Sequence, residues 1–377
     1  MEIVSMETVL LSCPVPKEQQ LNWDGAAFGQ RVIKNDMMII KLRSDEGIEG
    51  IGEPSVYGDV KFMDSWLRER KSMFIGRDPY DALKNTQPQV YYDWRVNCAL
   101  AGVNQALWDI IGKANRVPVY KLLGGRQTDR IMVYASAGQL GRKPEDIRRE
   151  AEAFREQGFL GYKLRVTLSD YREKVKAARE GLGKDLHLMV EWNERIPNAR
   201  VAANAIRNIE RYEITWIEEP LRKTDIEGYA ELRRLVDTLV SGGESLATRW
   251  EFKERLEKGC YSIVQPDCNV AGISEARIIA LMASLDEVLL CPHNWHNAIN
   301  TAANLQVMAA SPNQFFLEIN KTWNNSCPEF QQEIIKDPLV PKNGYIEVPG
   351  KPGLGVELDE EALKEFPYLD IKRAEPI

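Results

Sequence analysis

A chain of 377 residues exceeds the usual size of a single core, which predicts two domains or a barrel carrying a smaller one. Its 49 basic and 56 acidic residues give a formal charge of -7, with no basic run or basic-aromatic stripe of the kind that tracks a nucleic-acid backbone, so nucleic acid is excluded as a partner class. No stretch approaches the roughly 20 apolar residues of a membrane span, and the first 16 residues lack a positive n-region, so the expectation is a cytoplasmic protein with no membrane contact.

The first elements read as strands. Residues 1–11 and 37–43 are short apolar runs, and Gly47 to Glu53 (GIEGIGE) separates a turn from another strand. Helical spacing follows between 98 and 115, where Leu100, Val103, Leu107, Ile110 and Ile111 recur at three- to four-residue intervals before Val117-Pro118 and Gly124-Gly125. These elements form an α+β unit over residues 1–125. From Arg130 onward a short apolar run followed by a charged amphipathic stretch repeats with a period of about 25 residues. The apolar runs are 131–136, 161–166, 188–193, 214–218, 239–244, 262–267, 288–293 and 315–319, and helical stretches such as 144–157, 172–180, 198–211, 225–236, 274–283 and 298–310 lie between them. Eightfold alternation of strand and helix predicts a closed parallel (β/α)8 barrel of the TIM type over residues 126–340. No glycine-rich dinucleotide fingerprint follows the first strand, which disfavours an open doubly wound sheet. The turn-rich text of residues 341–377 is expected to pack back on the N-terminal unit.

The six cysteines are scattered without C-x-x-C spacing, which argues against a zinc knuckle or a redox pair, and only three histidines are present. A hard-metal site must therefore be built from carboxylates. In such barrels the C-terminal ends of the strands form the active face. Read in order, those ends carry Lys163 and Arg165, then Glu191 and Asn193, Glu218, Glu244, Asp267, His293 and Glu318. Each group alone is more ordinarily a solvated charge or a helix cap; eight ionisable groups at successive strand ends are improbable as independent surface charges. Glu191, Glu218 and Glu244 on adjacent strands would converge as like charges, a cost that a divalent cation with oxygen ligands removes.

Set side by side, the segments Tyr162-Lys-Leu-Arg165, Met189-Val-Glu-Trp-Asn193, Thr215-Trp-Ile-Glu-Glu-Pro220, Gly242-Gly-Glu244, Gln265-Pro-Asp267 and Cys291-Pro-His293 resemble the enolase superfamily, in its mandelate racemase-like subgroup. Gly47 to Glu53, Gln105-Ala-Leu-Trp-Asp109, residues 118–125 and Pro352-Gly-Leu-Gly355 extend the resemblance across almost the whole chain. It implies a modified barrel covered by an α+β capping domain made from the N- and C-terminal segments, one Mg2+ per active site, and commonly a homo-oligomer. It also implies that Glu191, Glu218 (rather than Glu219) and Glu244 are the metal ligands, and that a substrate carboxylate chelates the ion while a base removes the proton alpha to it, a family mechanism that the general chemistry of such sites includes. His293 and Asp267 resemble the family's His-Asp dyad, with His296 as the competing imidazole. Glu318 resembles the acid that hydrogen-bonds the substrate carboxylate, and Asn193 a contact to a substrate hydroxyl.

Two positions depart from the family pattern. Glu191 stands where many relatives have Asp, which keeps a carboxylate ligand but alters its reach. Arg165 stands where relatives with a Lys-x-Lys motif have a second lysine; a guanidinium stays protonated and is a poor base, which weakens racemisation by two opposed bases. The expected reaction is therefore dehydration of a sugar acid to a 2-keto-3-deoxy acid, with racemisation or epimerisation of a carboxylate substrate as the alternative. His293 is either base or acid in that reaction, and Lys163 or Arg165 serves the other face. Substrate selection is expected from Trp23 and Tyr57 in capping loops and from Trp295 beside the seventh strand end, residues that would otherwise pack the seam between domains.

Overall fold

The computed structural model describes residues 1–20, 29–57, 60–323 and 326–376. The chain opens with β1 (Ile3–Pro14), β2 (Gln30–Val32), β3 (Lys34–Ser44) and β4 (Glu49–Gly52). β3 lies between β1 and β4 and runs antiparallel to both. Met38, Ile40 and Leu42 of β3 face one core together with Met63 and Leu67 of the helix Val60–Arg70 and Leu100, Val103, Leu107 and Ile110 of the helix Trp94–Ala114. The longer helix starts four residues before the apolar repeat does, because the Asp93 side chain accepts from the Arg95 N–H and caps it.

Glycines let β4 press directly on that helix. A Cβ at Gly52 would lie 2.0 Å from the Gly102 carbonyl oxygen, and one at Gly50 would lie 2.2 Å from that of Ala106. Gly52→Ala is accordingly expected to destabilise the protein by about 2–3 kcal/mol, the upper range for overpacking a rigid contact. Urea unfolding would report this as a lowered midpoint at unchanged slope; a midpoint equal to that of the parent would show that the seam can relax.

The barrel strands follow in chain order: β5 (Arg130–Ser136), β6 (Gly161–Arg165), β7 (His187–Glu191), β8 (Ile214–Glu218), β9 (Leu239–Gly242), β10 (Ile263–Val264), β11 (Leu289–Leu290) and β12 (Phe316–Asn320). They pair in parallel from β5 to β11, and β12 returns to pair with β5. A bridge between Leu290 and Gln314 closes the ring, with the Leu290 N–H donating to Asn313 O and the Phe315 N–H to Leu290 O. This is the predicted eight-stranded barrel. β9, β10 and β11 are shorter than predicted, and each has a local cause. Gly243 turns the chain at φ +104°, and Pro266 and Pro292 have no N–H to continue a ladder. Glu244, Asp267 and His293 thus stand on loops just past their strands.

Between the strands run the helices Pro144–Glu156, Tyr171–Leu182, Ala199–Arg207, Ile226–Leu235, Arg249–Glu257, Gly272–Leu285 and Ala298–Ala310. Arg249–Glu257 was not among the predicted helices because it buries only Phe252, Arg255 and Leu256, although its Thr248/Glu251 capping box is a readable start signal. Strand side chains alternate between the helices and the barrel axis. Tyr134, Met189, Trp216, Ile263, Cys291 and Phe316 meet inside the barrel as an apolar plug. Two positions further along each segment stand Ser136, Glu191, Glu218, Gln265, His293 and Glu318, which makes the next layer polar.

The last segment touches both parts of the molecule. β13 (Tyr345–Glu347) pairs antiparallel with β5, Leu354 donates to the Asp109 carboxylate at 2.8 Å, and β14 (Ala374–Pro376) pairs with β2. The six cysteines are buried and reduced. Their scattered spacing hid one meeting: the donor atoms of Cys13, Cys327 and Glu329 lie within 4.8 Å of one another. Among the described residues no helix is long and apolar enough to cross a membrane.

Candidate active site

The parallel register aligns Glu191 at the end of β7 with Glu218 at the end of β8, and Glu244 follows β9 by two residues. One carboxylate oxygen from each lies within 4.8 Å of the other two. Strand parity separates Glu218 from its neighbour. Glu218 shares the inward face with Trp216, whose indole N–H donates to it at 3.3 Å, whereas Glu219, at φ +37°, turns away to accept the Gly243 N–H at 3.1 Å. Burial and the approach of like charges push Glu244 up to about 7, and burial also raises Glu218 above the ordinary carboxylate value.

Two cations answer this charge in part. The Lys163 ammonium contacts Glu218 directly and lies 2.8 Å from Glu318 Oε1 and 3.4 Å from Glu191 Oε2. Burial disfavours that ammonium, but the three carboxylates outweigh it and hold its pKa well above the usual lysine value. Arg165 pairs with Glu191 Oε2 at 3.0 Å, donates to Ala137 O at 2.7 Å and to Ser136 Oγ at 3.3 Å, and lies over the Trp295 ring at 4.0 Å. Four carboxylates, Glu191, Glu218, Glu244 and Glu318, therefore face two fixed cations. An all-oxygen donor set with residual negative charge suits a hard divalent ion. Among the described residues no donor reaches the buried Glu191 Oε2 with hydrogen-bond geometry, although the Arg165 and Lys163 cations lie 3.0 and 3.4 Å from it.

On the other side of the mouth His293 Nδ1 lies 2.7 Å from Asp267 Oδ2, so its Nε2 faces the interior, 3.8 Å from Glu244 Oε2. Burial disfavours the imidazolium, yet Glu244 and Asp267 outweigh it and raise His293 to about 10. His296 behaves oppositely. Burial lowers it to about 4, and its Nε2 rests 3.1 Å from Ser55 Oγ, beneath the edge of Tyr57. Glu318 accepts the Asn294 N–H at 3.0 Å; Lys163 and His293 overcome its burial and hold it at about 2.

A cavity of about 630 Å3 opens above these groups, and both imidazoles, Glu244, Tyr57, Trp94 and Lys223 border it. The structure brings together Lys163, Arg165, Glu191, Glu218, Glu244, Asp267, His293 and Glu318, and Tyr57 stands at the rim. Asn193 turns back to donate to the Glu191 carboxylate, in a left-handed conformation shared with Glu194. Trp295 is 3% exposed, lies under Arg165, and donates to Ser136 Oγ at 3.0 Å, so it supports the guanidinium. Trp23 lies outside the described residues. Three participants escaped the sequence reading. Gln265, which donates to Glu218 at 2.8 Å, had a signal in the Gln-Pro-Asp segment, and Ser55 had one in the capping loop that holds Tyr57; Lys223 had none.

Two family models match the chain: "Mandelate racemase / muconate lactonizing enzyme, N-terminal domain" over residues 25–124 and "Enolase C-terminal domain-like" over residues 146–362. A D-galactonate dehydratase of Variovorax paradoxus is 35% identical over 349 residues, covering 86% of this chain and 90% of that one. A D-gluconate dehydratase of Thermoproteus tenax is 28% identical over 363 residues, covering 90% of this chain and 70% of that one. Among solved structures, the 3,6-anhydro-D-galactonate cycloisomerase of Zobellia galactanivorans superposes with a TM-score of 0.84 at 27% identity, covering 98% of this chain and 100% of that one. A member of the enolase superfamily from Polaromonas sp. JS666 gives 0.86 at 28% identity, with 99% of both chains covered.

Proposed function

Since the chain belongs to the enolase superfamily and carries the N-terminal domain of its mandelate racemase and muconate lactonizing branch, we propose that it is a Mg2+-dependent sugar-acid dehydratase, a hydro-lyase. It removes the proton alpha to a carboxylate and expels the beta-hydroxyl as water, and the resulting enol tautomerises to a 2-keto-3-deoxy acid. Held by Glu191, Glu218 and Glu244, one Mg2+ would supply Lewis-acid stabilisation of the charge that develops on the substrate carboxylate, without which the alpha proton is too weakly acidic for any side chain.

The chain's own residues do the rest. Asp267 fixes the His293 ring through Nδ1, which leaves Nε2 as the nitrogen that takes or gives a proton at the cavity. Lys163 and Arg165 bind substrate oxygens on the other face, and Glu318 keeps Lys163 directed inward. The observation that carries dehydration over racemisation is the fixed state of Arg165. A guanidinium held by Glu191, Ala137, Ser136 and the Trp295 ring is a positioned cation and a poor base. Proton transfer on the face opposite His293, which racemisation needs, would fall to Lys163, which three carboxylates already engage.

Polar groups of the cavity wall, Ser55, Asn97, Glu194 and Lys223, suit the hydroxyls of a polyhydroxy acid. The relatives named for D-galactonate and D-gluconate make these two acids, which differ at C4, the first substrates to try. The Mg2+-loaded protein, incubated with a panel of sugar acids, is expected to yield 2-keto-3-deoxy product from at least one. Alpha-deuterium uptake from heavy water with inversion but without keto product would replace dehydratase by epimerase, and neither signal across a broad panel would defeat both. A homo-oligomer in the cytoplasm belongs to the same proposal, on the family's habit of assembly, and light scattering at working concentration checks the assembly.

A further inference from the structure

We infer that Glu53 and Asn300 are positioning residues for the acid/base dyad, through which the capping segment sets the orientation of His293. This rests on the dyad reading above and extends it to a second layer of residues in another part of the chain. Glu53 follows β4, is 1% exposed, and reaches across the domain seam to the helix Ala298–Ala310. Its Oε1 accepts the Asn297 N–H at 3.0 Å and Asn297 Nδ2 at 2.9 Å, and its Oε2 accepts the Asn300 N–H at 3.0 Å. All three partners are donors at the start of a helix, where a carboxylate is favoured and an amide is mismatched.

Asn300 passes this placement on. Its Nδ2 donates to Asp267 Oδ1 at 2.8 Å, while Asp267 Oδ2 holds His293 Nδ1 at 2.7 Å. Asn304 Nδ2 and the Asn269 N–H complete the Oδ1 environment at 3.3 and 3.2 Å, both longer than the Asn300 bond. Gln105 locks the same seam from the cap's long helix. It accepts the Glu53 N–H at 3.0 Å and donates to Glu53 O at 3.0 Å and to Cys268 O, the residue after Asp267, at 2.9 Å. Glu53 and the dyad are thus joined through Asn300 by buried, direct hydrogen bonds, an arrangement in which loss of one donor frees the carboxylate it held to turn.

The test uses Glu53→Gln and Asn300→Ala in the full-length, Mg2+-loaded protein. Gln at 53 turns an amide NH2 toward a helix N–H. Ala at 300 removes the donor to Asp267, together with a longer bond to Asn294 Oδ1 at 3.2 Å and an acceptor for Gln105 Nε2 at 3.4 Å, but keeps the backbone N–H that Glu53 holds and suits a helix, so it carries the test if the first variant folds poorly. Each is expected to lower kcat by about tenfold or more, with KM and Mg2+ affinity within about twofold, the pattern of a lost contact one layer from the reacting group. The downfield imidazole proton shared by His293 and Asp267 should shift in both, a signature that a merely structural role would leave in place. In an Asp267→Asn background Asn300→Ala should cost nothing more. An unchanged kcat in a folded variant, a loss in Asn300→Ala that multiplies with that of Asp267→Asn, or a fall in metal affinity parallel to kcat would each overturn the inference. Full activity of His293→Asn would instead overturn the dyad reading beneath it.

Discussion

Glu218→Gln is expected to weaken Mg2+ binding by more than about 100-fold and to remove dehydratase activity with it. Groups one layer outside a metal site are already worth roughly 10–100-fold in affinity, so a direct ligand should exceed that. The substitution preserves volume, so packing against the Trp216 plug survives. What changes is that one oxygen of a carboxylate facing Lys163, Gln265 and Trp216, donors all, becomes an NH2 group. Calorimetric titration with Mg2+ measures the loss. Glu219→Gln is the matched control, because that side chain faces Gly243; its Mg2+ affinity should stay within about threefold of the parent. Equal affinity in Glu218→Gln and the parent would refute the assignment of ligands.

His293→Asn is expected to lower kcat by about 10^3-fold or more while Mg2+ affinity holds, in the range typical of a lost general acid or base. Asn retains a hydrogen-bonding group toward Asp267 but has no nitrogen that titrates. The same variant separates the two roles left open for the imidazole. If alpha-deuterium uptake stops together with keto product, His293 removes the alpha proton. If uptake continues while product stops, His293 protonates the departing hydroxyl and the opposite face supplies the base. Keto product at the parental rate would remove His293 from the reaction altogether.

The barrel was legible because strands and helices alternate with a regular period, and most of the polar crown because ionisable residues stand at the C-terminal ends of seven successive strands; Ser136 and Gln265, which are not ionisable, were not read. The family resemblance chose Glu218 over Glu219, and strand parity is the physical reason the two side chains part. What the sequence hid follows from geometry across distant segments. No local pattern could show that Ser55 lies against His296, or that Trp295, next to the seventh strand end, would turn beneath Arg165. Glu53 was visible within GIEGIGE, but its partners stand more than two hundred residues away. Strand lengths were overestimated at β10 and β11 because apolar runs ending in Gln-Pro and Cys-Pro look continuous until the missing proline N–H is counted.

Asp109 has a consequence for biosynthesis. Its carboxylate accepts the Ile51 N–H at 3.0 Å and the Leu354 N–H at 2.8 Å, tying β4, the cap's long helix and the late segment into one buried knot. Domains tend to fold in order of synthesis, yet this cap cannot finish early: a ribosome must release residue 354 before the knot can be drawn and residue 369 before Ser12 meets Leu369. The nascent protein therefore holds an unfinished lid over a barrel whose strands have all been made, and a pause in translation beyond β12 would extend the interval in which a chaperone could engage it.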